Sequence, residues 1–511
     1  MMLGLGNAKM FTWFAVLALS FTACSRQVVS SSESELNVER PRGHLTISSD
    51  SVSMSTTLDP HHVDRFYQYV LMGFEQLVTK DIEGNHIPAL AISWEPNNDA
   101  SSWTIKLREG VLFHDGTEMT ADDVAYSLLR LADPDVNSPL LTFFEIVKHI
   151  DVLNKYELTV NLEIPSVDFP EYLTSHQASI MRENSGTFVA HDGVGTGPFK
   201  LVHLDIFGVT ELRAYDDYWN GKPASATASI IAMPDAESRV QAMRSGDLDF
   251  LEVSAVQATL FEGDEEFIIQ SFPSGNWHGL VMHTDAMPFR DARVRKAIRV
   301  AADRQEIVDK ALNGNGVVAC DHPVWSGDVY HVEIDCPQDI ELAKSLLLEA
   351  GYSRGLDIKI YTSPLIYEWT AMLETYQRQA AEAGIRLQII QVPSTSYWTD
   401  TWMVRSFTTA RWRERSAAQV LPEVYRTGSI WNETFYANEV FDALLDEATS
   451  EVDIENRIEI YHELQNTLWE DGGSLIPYHI NETRVQKSCL KGLPPIRSFY
   501  IDYSKISTSG C

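Results

Sequence analysis

The sequence has few positive charges for its size. It contains 40 lysines and arginines against 72 aspartates and glutamates, which gives a net charge of -32 at pH 7 over 511 residues. Such an excess of negative charge repels polyanions and anionic lipid surfaces, so it excludes nucleic acid as a partner. The chain also lacks an internal apolar run long enough to span a bilayer. We therefore expect contact with a membrane only through an anchor at the N-terminus.

Cysteines and catalytic motifs are scarce as well. The chain has five cysteines, and none has the C-x-x-C spacing of a zinc or redox site. His462-Glu463 lacks the second histidine of the H-E-x-x-H motif, because Asn466 stands in its place. No G-x-S-x-G nucleophile elbow occurs. We predict that the protein is not an enzyme and that it holds no cofactor and no metal.

The N-terminal segment has the pattern of an export signal. Lys9 precedes the apolar run from Phe11 to Phe21, which is too short to span a membrane, and small residues then lead to Cys24. This arrangement resembles a lipoprotein signal peptide, so we expect residues 1–23 to be removed and Cys24 to carry the lipid. An ordinary signal peptide that happens to contain cysteine is the alternative. The polar, Ser/Glu-rich residues 24–42 are typical of a flexible tether.

The four remaining cysteines are Cys320, Cys336, Cys489 and Cys511. An even number in an exported chain indicates disulfides. Three connectivities are possible. We favour the two local pairings, Cys320 with Cys336 and Cys489 with Cys511.

The stretch from Trp103 to Arg130 predicts a short ribbon followed by a helix. Trp103, Ile105 and Leu107 alternate with polar residues, as in a strand that is buried on one face. Thr120 is a helix N-cap, and Asp123 completes a capping box where the helix dipole favours negative charge. The intervening His114-Asp115 is better explained as a polar turn than as an acid/base pair.

The sequence motif in this stretch is specific. Residues 106–124 resemble the signature of the family 5 extracellular solute-binding proteins, the receptors of bacterial ABC importers for peptides or nickel. Further motifs that are similar to the family's follow the same order; they lie at residues 88–95, 195–199, 245–249 and 288–297. The glycines of residues 193–197 do not form a phosphate loop, since β-type residues follow them in place of a helix.

The resemblance implies an α/β fold, that of a large two-lobed periplasmic binding protein of type II with an extra insertion domain and an interlobe ligand cleft. Lobe I would comprise residues 43–75, 195–275 and 480–511. The insertion domain would comprise residues 76–194, and lobe II residues 276–479. The ligand would stabilise the closed state because it touches both lobes only there. The closed monomer would then deliver its solute to permease subunits with their ATPases.

The predicted binding site departs from the pattern of the peptide receptors. Those proteins resemble one another in a W-x-x-D segment, whose Asp receives the ligand's ammonium group. Here Trp412 keeps the tryptophan, but Arg415 stands where the Asp would be. A cation in a closed cleft needs an anion, and a ligand carboxylate suits a guanidinium through two hydrogen bonds. An internal pair with Glu414 or Glu423, or an outward orientation, is the alternative.

Other residues are candidates for the walls of the cleft. Aromatic walls are expected, and the candidates are Trp277, Tyr397, Trp398, Trp402, Trp412 and Trp431, with Asn276 as a polar partner and Thr56 and Thr57 on the lobe I side. We therefore expect a receptor for a peptide or another small, carboxylate-bearing solute on the periplasmic or cell-surface side.

Two other functions remain open. One is a receptor for nickel or a metal chelate, suggested by His61-His62, His278 and His283, although none has the spacing of a metal motif. The other is a receptor that presents its ligand to a sensor or that acts as a chaperone. It would use the same binding chemistry as a transport receptor.

Overall fold

The computed structural model describes residues 42–50, 57–62, 67–81, 84–494 and 501–511. The predicted signal peptide, the predicted lipidation site Cys24, nearly all of the predicted tether and Thr56 lie outside these residues. Within them, no helix is both long and apolar enough to cross a membrane.

The chain alternates between helices and strands. The strands are β1 (His44–Ser49), β2 (Val78–Lys80), β3 (His86–Pro88), β4 (Ala91–Pro96), β5 (Ser102–Leu107), β6 (Val147–Asn154), β7 (Glu157–Leu162), β8 (Phe199–His203), β9 (Val209–Ala214), β10 (Thr227–Ala232), β11 (Phe250–Val253), β12 (Phe267–Met282), β13 (Gly316–Val318), β14 (Leu356–Thr362), β15 (Ile385–Gln391), β16 (Phe407–Trp412) and β17 (Ser474–Lys487). The helices are α1 (Tyr67–Gly73), α2 (Ala121–Leu131), α3 (Leu141–Phe144), α4 (Phe169–Tyr172), α5 (Val189–Asp192), α6 (Ala236–Arg244), α7 (Ala255–Ala258), α8 (Ala292–Val300), α9 (Arg304–Ala311), α10 (Ile340–Glu349), α11 (Tyr367–Glu382), α12 (Tyr397–Asp400), α13 (Ala417–Tyr425), α14 (Glu439–Ser450) and α15 (Ile454–Asp471).

Three larger sheets organise these elements. The first has the order β1-β10-β9-β8, and the second has the order β4-β5-β7-β6. The third has the order β11-β17-β12-β16-β14-β15, with β13 paired to β17, and a small β2-β3 ribbon completes the set. The parallel pair β14–β15 is joined by α11, which is the predicted βαβ connection.

Each sheet buries its own hydrophobic core. Leu45, Phe74 and Phe199 belong to the core of the first sheet, and Ile105 and Val124 belong to that of the second. The third sheet contributes to two larger cores, one built around Leu280, Trp369 and Leu373 and the other around Trp277, Trp412 and Leu421. Full burial of one such side chain stabilises the fold by about 1.5–3 kcal/mol. The wall of the site described below belongs to the last of these cores.

Two long strands run from one core into another. The N-terminal half of β12, Phe267–Phe272, pairs with Glu482–Lys487, and its C-terminal half pairs with residues from Ser474 to Ile480. The register shifts between Phe272 and Asn276, at the middle of the pair. The sequence predicts only the C-terminal half of β12 and the N-terminal half of β17. The other halves carry weaker strand patterns, and a bulge separates the two halves of the pair.

The glycines of the G-T-G-P-F segment allow two parts of the backbone to approach closely. A Cβ atom on Gly195 would lie 2.1 Å from the carbonyl oxygen of Gly73, and one on Gly197 would lie 2.6 Å from that of Met72. Strand β8 begins at Phe199, directly after these glycines. The interpretation that a strand follows this segment is confirmed.

Two disulfides are present. They join Cys320 to Cys336 and Cys489 to Cys511, across 16 and 22 residues of sequence. These are the two local pairings that the sequence analysis favours.

The capping box that begins α2 gives a first test of the fold. The carboxylate of Asp123 accepts the backbone N–H of Thr120 at 2.8 Å and that of Glu183 at 2.7 Å. Replacing Asp123 with Ala removes both acceptors, so we expect the free energy of unfolding to fall by about 2 kcal/mol. Urea denaturation measures it. The matched control is Asp122→Ala, an exposed neighbour in the same turn, which should cost at most about 0.5 kcal/mol. Equal losses for the two variants would contradict this role.

Candidate functional site

A cavity of about 330 Å³ lies where the second sheet's domain meets the third sheet. Its lining comes from separate parts of the chain and comprises Asp50, Gln76, Pro139, Leu140, Phe143, Thr174, Ser175, His176, Gln177, Trp398, Trp402, Arg411, Trp412, Arg413, Glu414, Arg415, Gln419, Glu423 and Trp431. This volume is suited to a small molecule or a short peptide.

One wall is built around strand β16 and the helix that follows it. The strand ends at Trp412, Arg413, Glu414 and Arg415 line the cavity, and α13 begins at Ala417. Arg411, Arg413 and Arg415 all line the cavity from this segment. The lining also includes three carboxylates, those of Asp50, Glu414 and Glu423, so the cavity presents both cationic and anionic groups to a solute.

The guanidinium of Arg415 is held by an anion and by two aromatic rings. Its Nε lies 2.5 Å from an oxygen of Glu423, and its centre lies 5.3 Å from the ring of Trp412 and 5.8 Å from that of Trp431. A quarter of the Arg415 side chain is exposed, whereas Glu423 is buried. The internal pair with Glu423, one of the two alternatives, is thus present. Arg415 also faces the cavity, so the structure combines the pair with the cleft orientation.

Burial dominates the electrostatics of Glu423. Removal from water raises the pKa of its carboxyl group, and the charge and hydrogen bond of Arg415 oppose that rise. The charged form of Glu423 therefore depends on Arg415 to offset the cost of its burial.

The tryptophans form two edge-to-face pairs along the cavity. Trp398 and Trp402 lie 5.5 Å apart at 81°, and Trp412 and Trp431 lie 5.8 Å apart at 62°. All four line the cavity. Such pairs contribute about 0.5–1.5 kcal/mol each beyond the area that they bury. The cavity therefore has a rigid aromatic floor.

Two of the aromatic candidates lie behind this floor. Trp277 is 1% exposed and stacks on Trp412 at 6.2 Å, because the two residues are cross-strand partners in β12 and β16. Tyr397 is fully buried, and its hydroxyl group donates to the carbonyl oxygen of Thr409 at 2.6 Å. This placement differs from the expectation that both would line the cleft. In the described structure they support the wall from the core.

Asn276 also supports the wall of the cavity through a hydrogen bond. Its side-chain oxygen accepts the backbone N–H of Glu414 at 2.8 Å, and the N–H of Gly275 donates to the Glu414 carboxylate at 2.7 Å. These two bonds fix the segment that carries the arginines. Asn276 is absent from the described lining of the cavity, so its position is that of a support.

Thr57 lies in the loop before Pro60, where its hydroxyl oxygen accepts the N–H of Asp59 at 3.1 Å. It is absent from the described lining of the cavity. The lining on this side comes instead from Asp50 and Gln76.

The opposite wall contains residues that sequence reasoning missed. Phe143 and residues 174–177 line the cavity from the domain of the second sheet. They belong to a short helix and a 3-10 turn with no motif of their own. Only the packing of that domain against the third sheet brings them to the cavity.

The histidines that suggested a metal are engaged in the fold. His61 is buried with its Nε2 3.0 Å from the carbonyl oxygen of Ser179, and burial lowers its pKa to about 4. His278 packs between Trp369 and Tyr478, and His283 packs on Phe435. In the described part of the chain, no group of three or more His, Cys, Asp or Glu side chains is arranged to hold a metal ion.

The chain thus combines an α/β fold with a cavity lined by tryptophans, arginines and carboxylates. Solved structures share this fold. The chain matches NikZ from Campylobacter jejuni, solved in complex with Ni(L-His), with a TM-score of 0.83 at 21% identity over 92% of this chain and all of that one. The predicted fold class is confirmed.

Sequence comparisons are consistent with this class. The chain is 25% identical to the glutathione-binding protein GsiB of Pectobacterium atrosepticum, over 82% of this chain and 85% of that protein. It is 28% identical to the heme-binding protein A of Haemophilus influenzae, over 74% and 76% of the two chains. Residues 85–417 match the family described as bacterial extracellular solute-binding proteins, family 5 Middle. The chain belongs to that family, as its motifs predict; such proteins bind small ligands or peptides, work with ABC permeases and are not enzymes.

Proposed function

We propose that this protein is the substrate-binding lipoprotein of an ABC importer, which captures a peptide or another small, carboxylate-bearing solute and delivers it to a membrane permease. The observation that carries the choice of solute is Arg415, a partly exposed guanidinium in the wall of the cavity. Nε lies 2.5 Å from Glu423 and Nη1 donates to the carbonyl oxygen of Arg413 at 3.4 Å, and a guanidinium has five N–H groups, so others remain that suit a carboxylate.

The three arginines of the lining do not give the cavity a net positive charge. Arg411, Arg413 and Arg415 share it with the carboxylates of Asp50, Glu414 and Glu423. Support for an anionic solute therefore comes from the partly exposed guanidinium of Arg415 and its unused N–H groups. Glutathione, the solute named for one relative, carries two carboxylates and is a first candidate to test.

The proposed division into lobes follows the cores and the long strand pair. Lobe I would comprise residues 43–75, 195–275 and 480–511, and lobe II residues 276–479, with the insertion at residues 76–194. The proposed boundaries at residues 275 and 480 fall at the register shift in β12 and β17. A bulge is a place where a strand bends, so we propose that the hinge lies there.

One contact joins the cavity wall to this hinge. Arg413, which lines the cavity, lies 3.8 Å from the carboxylate of Glu252 in β11. Glu252 also neighbours Glu482 in β17, and burial together with that like charge raises the pKa of Glu482 to about 8. A solute that attracts Arg413 would therefore act on the strands where we place the hinge.

Native mass spectrometry tests the proposed function directly. The chain from Ser25 onward is purified without a lipid anchor and measured before and after mild denaturation. We expect a monomer that carries a small, carboxylate-bearing molecule, which denaturation releases. Release of a peptide whose free N-terminus is bound against the Trp412 wall would overturn the assignment of Arg415.

If the purified protein is empty, the same material is screened by thermal shift against peptides, organic acids, sugars and nickel chelates. Ligands without a carboxylate serve as matched controls, for example an amidated peptide beside the free acid. A stabilising ligand should lose its effect when its carboxylate is amidated. Stabilisation by a nickel chelate alone would contradict the proposal. Lipidation is tested separately by the mass of the exported wild type and Cys24→Ser.

A further inference from the structure

A buried carboxyl group lies beneath the aromatic floor of the cleft. Glu433 is fully buried, and its two oxygens accept hydrogen bonds from the indole Nε1 of Trp402 at 2.5 Å and from that of Trp412 at 2.9 Å. Both indoles line the cavity. Nothing in the sequence around Glu433 indicates this role, because its partners lie 31 and 21 residues away along the chain.

The carboxylate has an unusual electrostatic setting. Among the described residues no lysine, arginine or histidine forms an ion pair with it, and the forces on its charge are burial and the two indole bonds. Burial raises the pKa of Glu433 to about 7, and the indole bonds oppose that rise. The titratable groups that feel its charge are the buried phenols of Tyr397 and Tyr425, whose pKa values it helps to raise.

Geometry makes Glu433 the link between the two tryptophan pairs. Trp402 belongs to the pair with Trp398, and Trp412 belongs to the pair with Trp431. An indole N–H can only donate, so each ring needs an acceptor, and one carboxylate supplies both. A single side chain therefore connects the two pairs, whose outer faces pack on Trp277 and on Trp369 and Tyr397.

The exposed side of each pair faces an arginine of the wall. The Arg411 guanidinium lies 6.0 Å from the ring of Trp398, and that of Arg415 lies 5.3 Å from the ring of Trp412. A guanidinium is attracted to the electron-rich face of an indole. Donation of the indole N–H to a carboxylate polarises the ring further in that direction.

We propose that Glu433 is a positioning residue of the cleft, which fixes the indoles of its floor and, through Trp412, holds the Arg415 guanidinium towards the solute. The part that concerns the solute rests on the proposed function above. The part that concerns the indoles does not, so the two parts are tested separately.

The ligand-free test uses the intrinsic fluorescence of the full chain between pH 5.5 and 8.5. In the wild type we expect a transition with a midpoint near 7, because protonation of Glu433 weakens both indole bonds. Trp219 donates to Glu75, another buried glutamate whose pKa burial raises to about 7, so Glu75→Gln serves as the background in both arms. On that background Glu433→Gln should lack the transition. The matched control is Glu423→Gln, which alters a buried glutamate of the same wall that pairs with Arg415 rather than with an indole. It should keep the transition.

Single tryptophan variants keep the test decisive if Glu433→Gln does not fold. Trp402→Phe and Trp412→Phe each remove one donor to Glu433 and leave the carboxyl group in place. Each indole bond lowers the pKa of Glu433, so its loss should move the midpoint upward. Trp431→Phe, which removes an indole outside the Glu433 contact, should leave the midpoint unchanged. A wild-type midpoint that neither Trp402→Phe nor Trp412→Phe moves would overturn the positioning role.

The solute part is tested with glutathione as the probe, or with the solute that mass spectrometry identifies. Glu433→Gln should weaken binding roughly tenfold, as expected when a charge-assisted contact is misaligned. It should do so only while Arg415 is present, so Arg415→Met and the double variant should bind equally weakly. Additive losses would overturn the link from Glu433 to Arg415. Failure of every probe to bind the wild type would refute the proposed function for those solutes and leave the fluorescence result standing.

Discussion

Replacing Arg415 with Met is expected to weaken the binding of a carboxylate-bearing solute by roughly 10- to 150-fold, since hydrogen bonds to a charged group contribute about 1.5–3 kcal/mol. The guanidinium faces the cavity and lies 5.3 Å and 5.8 Å from the rings of Trp412 and Trp431. Methionine keeps much of the apolar stem and removes every N–H donor. Isothermal titration with the identified solute measures the loss.

Glu423→Gln should act in the opposite direction. The glutamate lies 2.5 Å from Nε of Arg415 and competes with a ligand anion for the same cation. Glutamine keeps an acceptor oxygen for Nε but removes the negative charge, so we expect the affinity for an anionic solute to rise severalfold. If Arg415 had only an internal role, Arg415→Met and Glu423→Gln would both lower the free energy of unfolding. Neither variant would then change the affinity for the solute.

Arg426→Met is the control for the loss of an arginine in the same region. Arg426 follows α13 and pairs at 2.7 Å with the exposed Asp446, and it does not belong to the described lining of the cavity. Arg426→Met should therefore leave the affinity for the solute unchanged. If Arg415→Asp or Arg415→Met binds the identified anion as tightly as wild type does, Arg415 does not contact the solute.

Local patterns explain why much of the fold could be predicted. The strand at Trp103–Leu107 and the helix capped by Thr120 and Asp123 depend on alternation and on a capping box, which are properties of neighbouring residues. The family motifs added the order of the elements. Strands β12 and β17 were predicted too short, because their additional halves are defined by pairing with each other and not by a strong pattern.

The binding site is harder to predict because it depends on long-range packing. Trp277 and Trp412 are cross-strand partners and both were candidates for the cleft, yet only Trp412 lines the cavity, with Trp277 stacked behind it. Glu433 carries no motif, and its role follows from two indoles that the fold brings to it. Arg415 was found because it departs from a pattern at a defined position, which is a signal that a sequence can carry.

The second prediction concerns a buried ion pair that supports helix α13, the helix that bears Glu423. Arg304 and Asp321 form an ion pair at 2.5 Å, with 1% and 0% of their side chains exposed. Arg304 also donates to the carbonyl oxygen of Cys336 at 3.0 Å, so it ties down both ends of the loop closed by the Cys320–Cys336 disulfide. Within that loop, Asp328 accepts the N–H of Ala417, the first residue of α13, at 2.8 Å.

Arg304→Met is therefore expected to lower the free energy of unfolding by about 3–5 kcal/mol, because it leaves the Asp321 carboxylate buried without its cation. Guanidinium denaturation monitored by circular dichroism measures the change. The control is Arg378→Met, which breaks the exposed pair with Glu306 on the same helix α9 and should cost at most about 1 kcal/mol.

The double variant Arg304→Met/Asp321→Asn separates the ion pair from simple loss of packing. Once Asp321 is neutral, no carboxylate is left buried without Arg304, so the double variant should lose less stability than Arg304→Met alone. The recovery should be partial, because the buried guanidinium of Arg299 also interacts with the Asp321 carboxylate. A loss equal to the sum of the two single losses would mean that the pair contributes nothing as a pair. Because α13 rests on this loop, we further expect Arg304→Met to weaken solute binding at temperatures where the protein is still folded, whereas Arg378→Met should not.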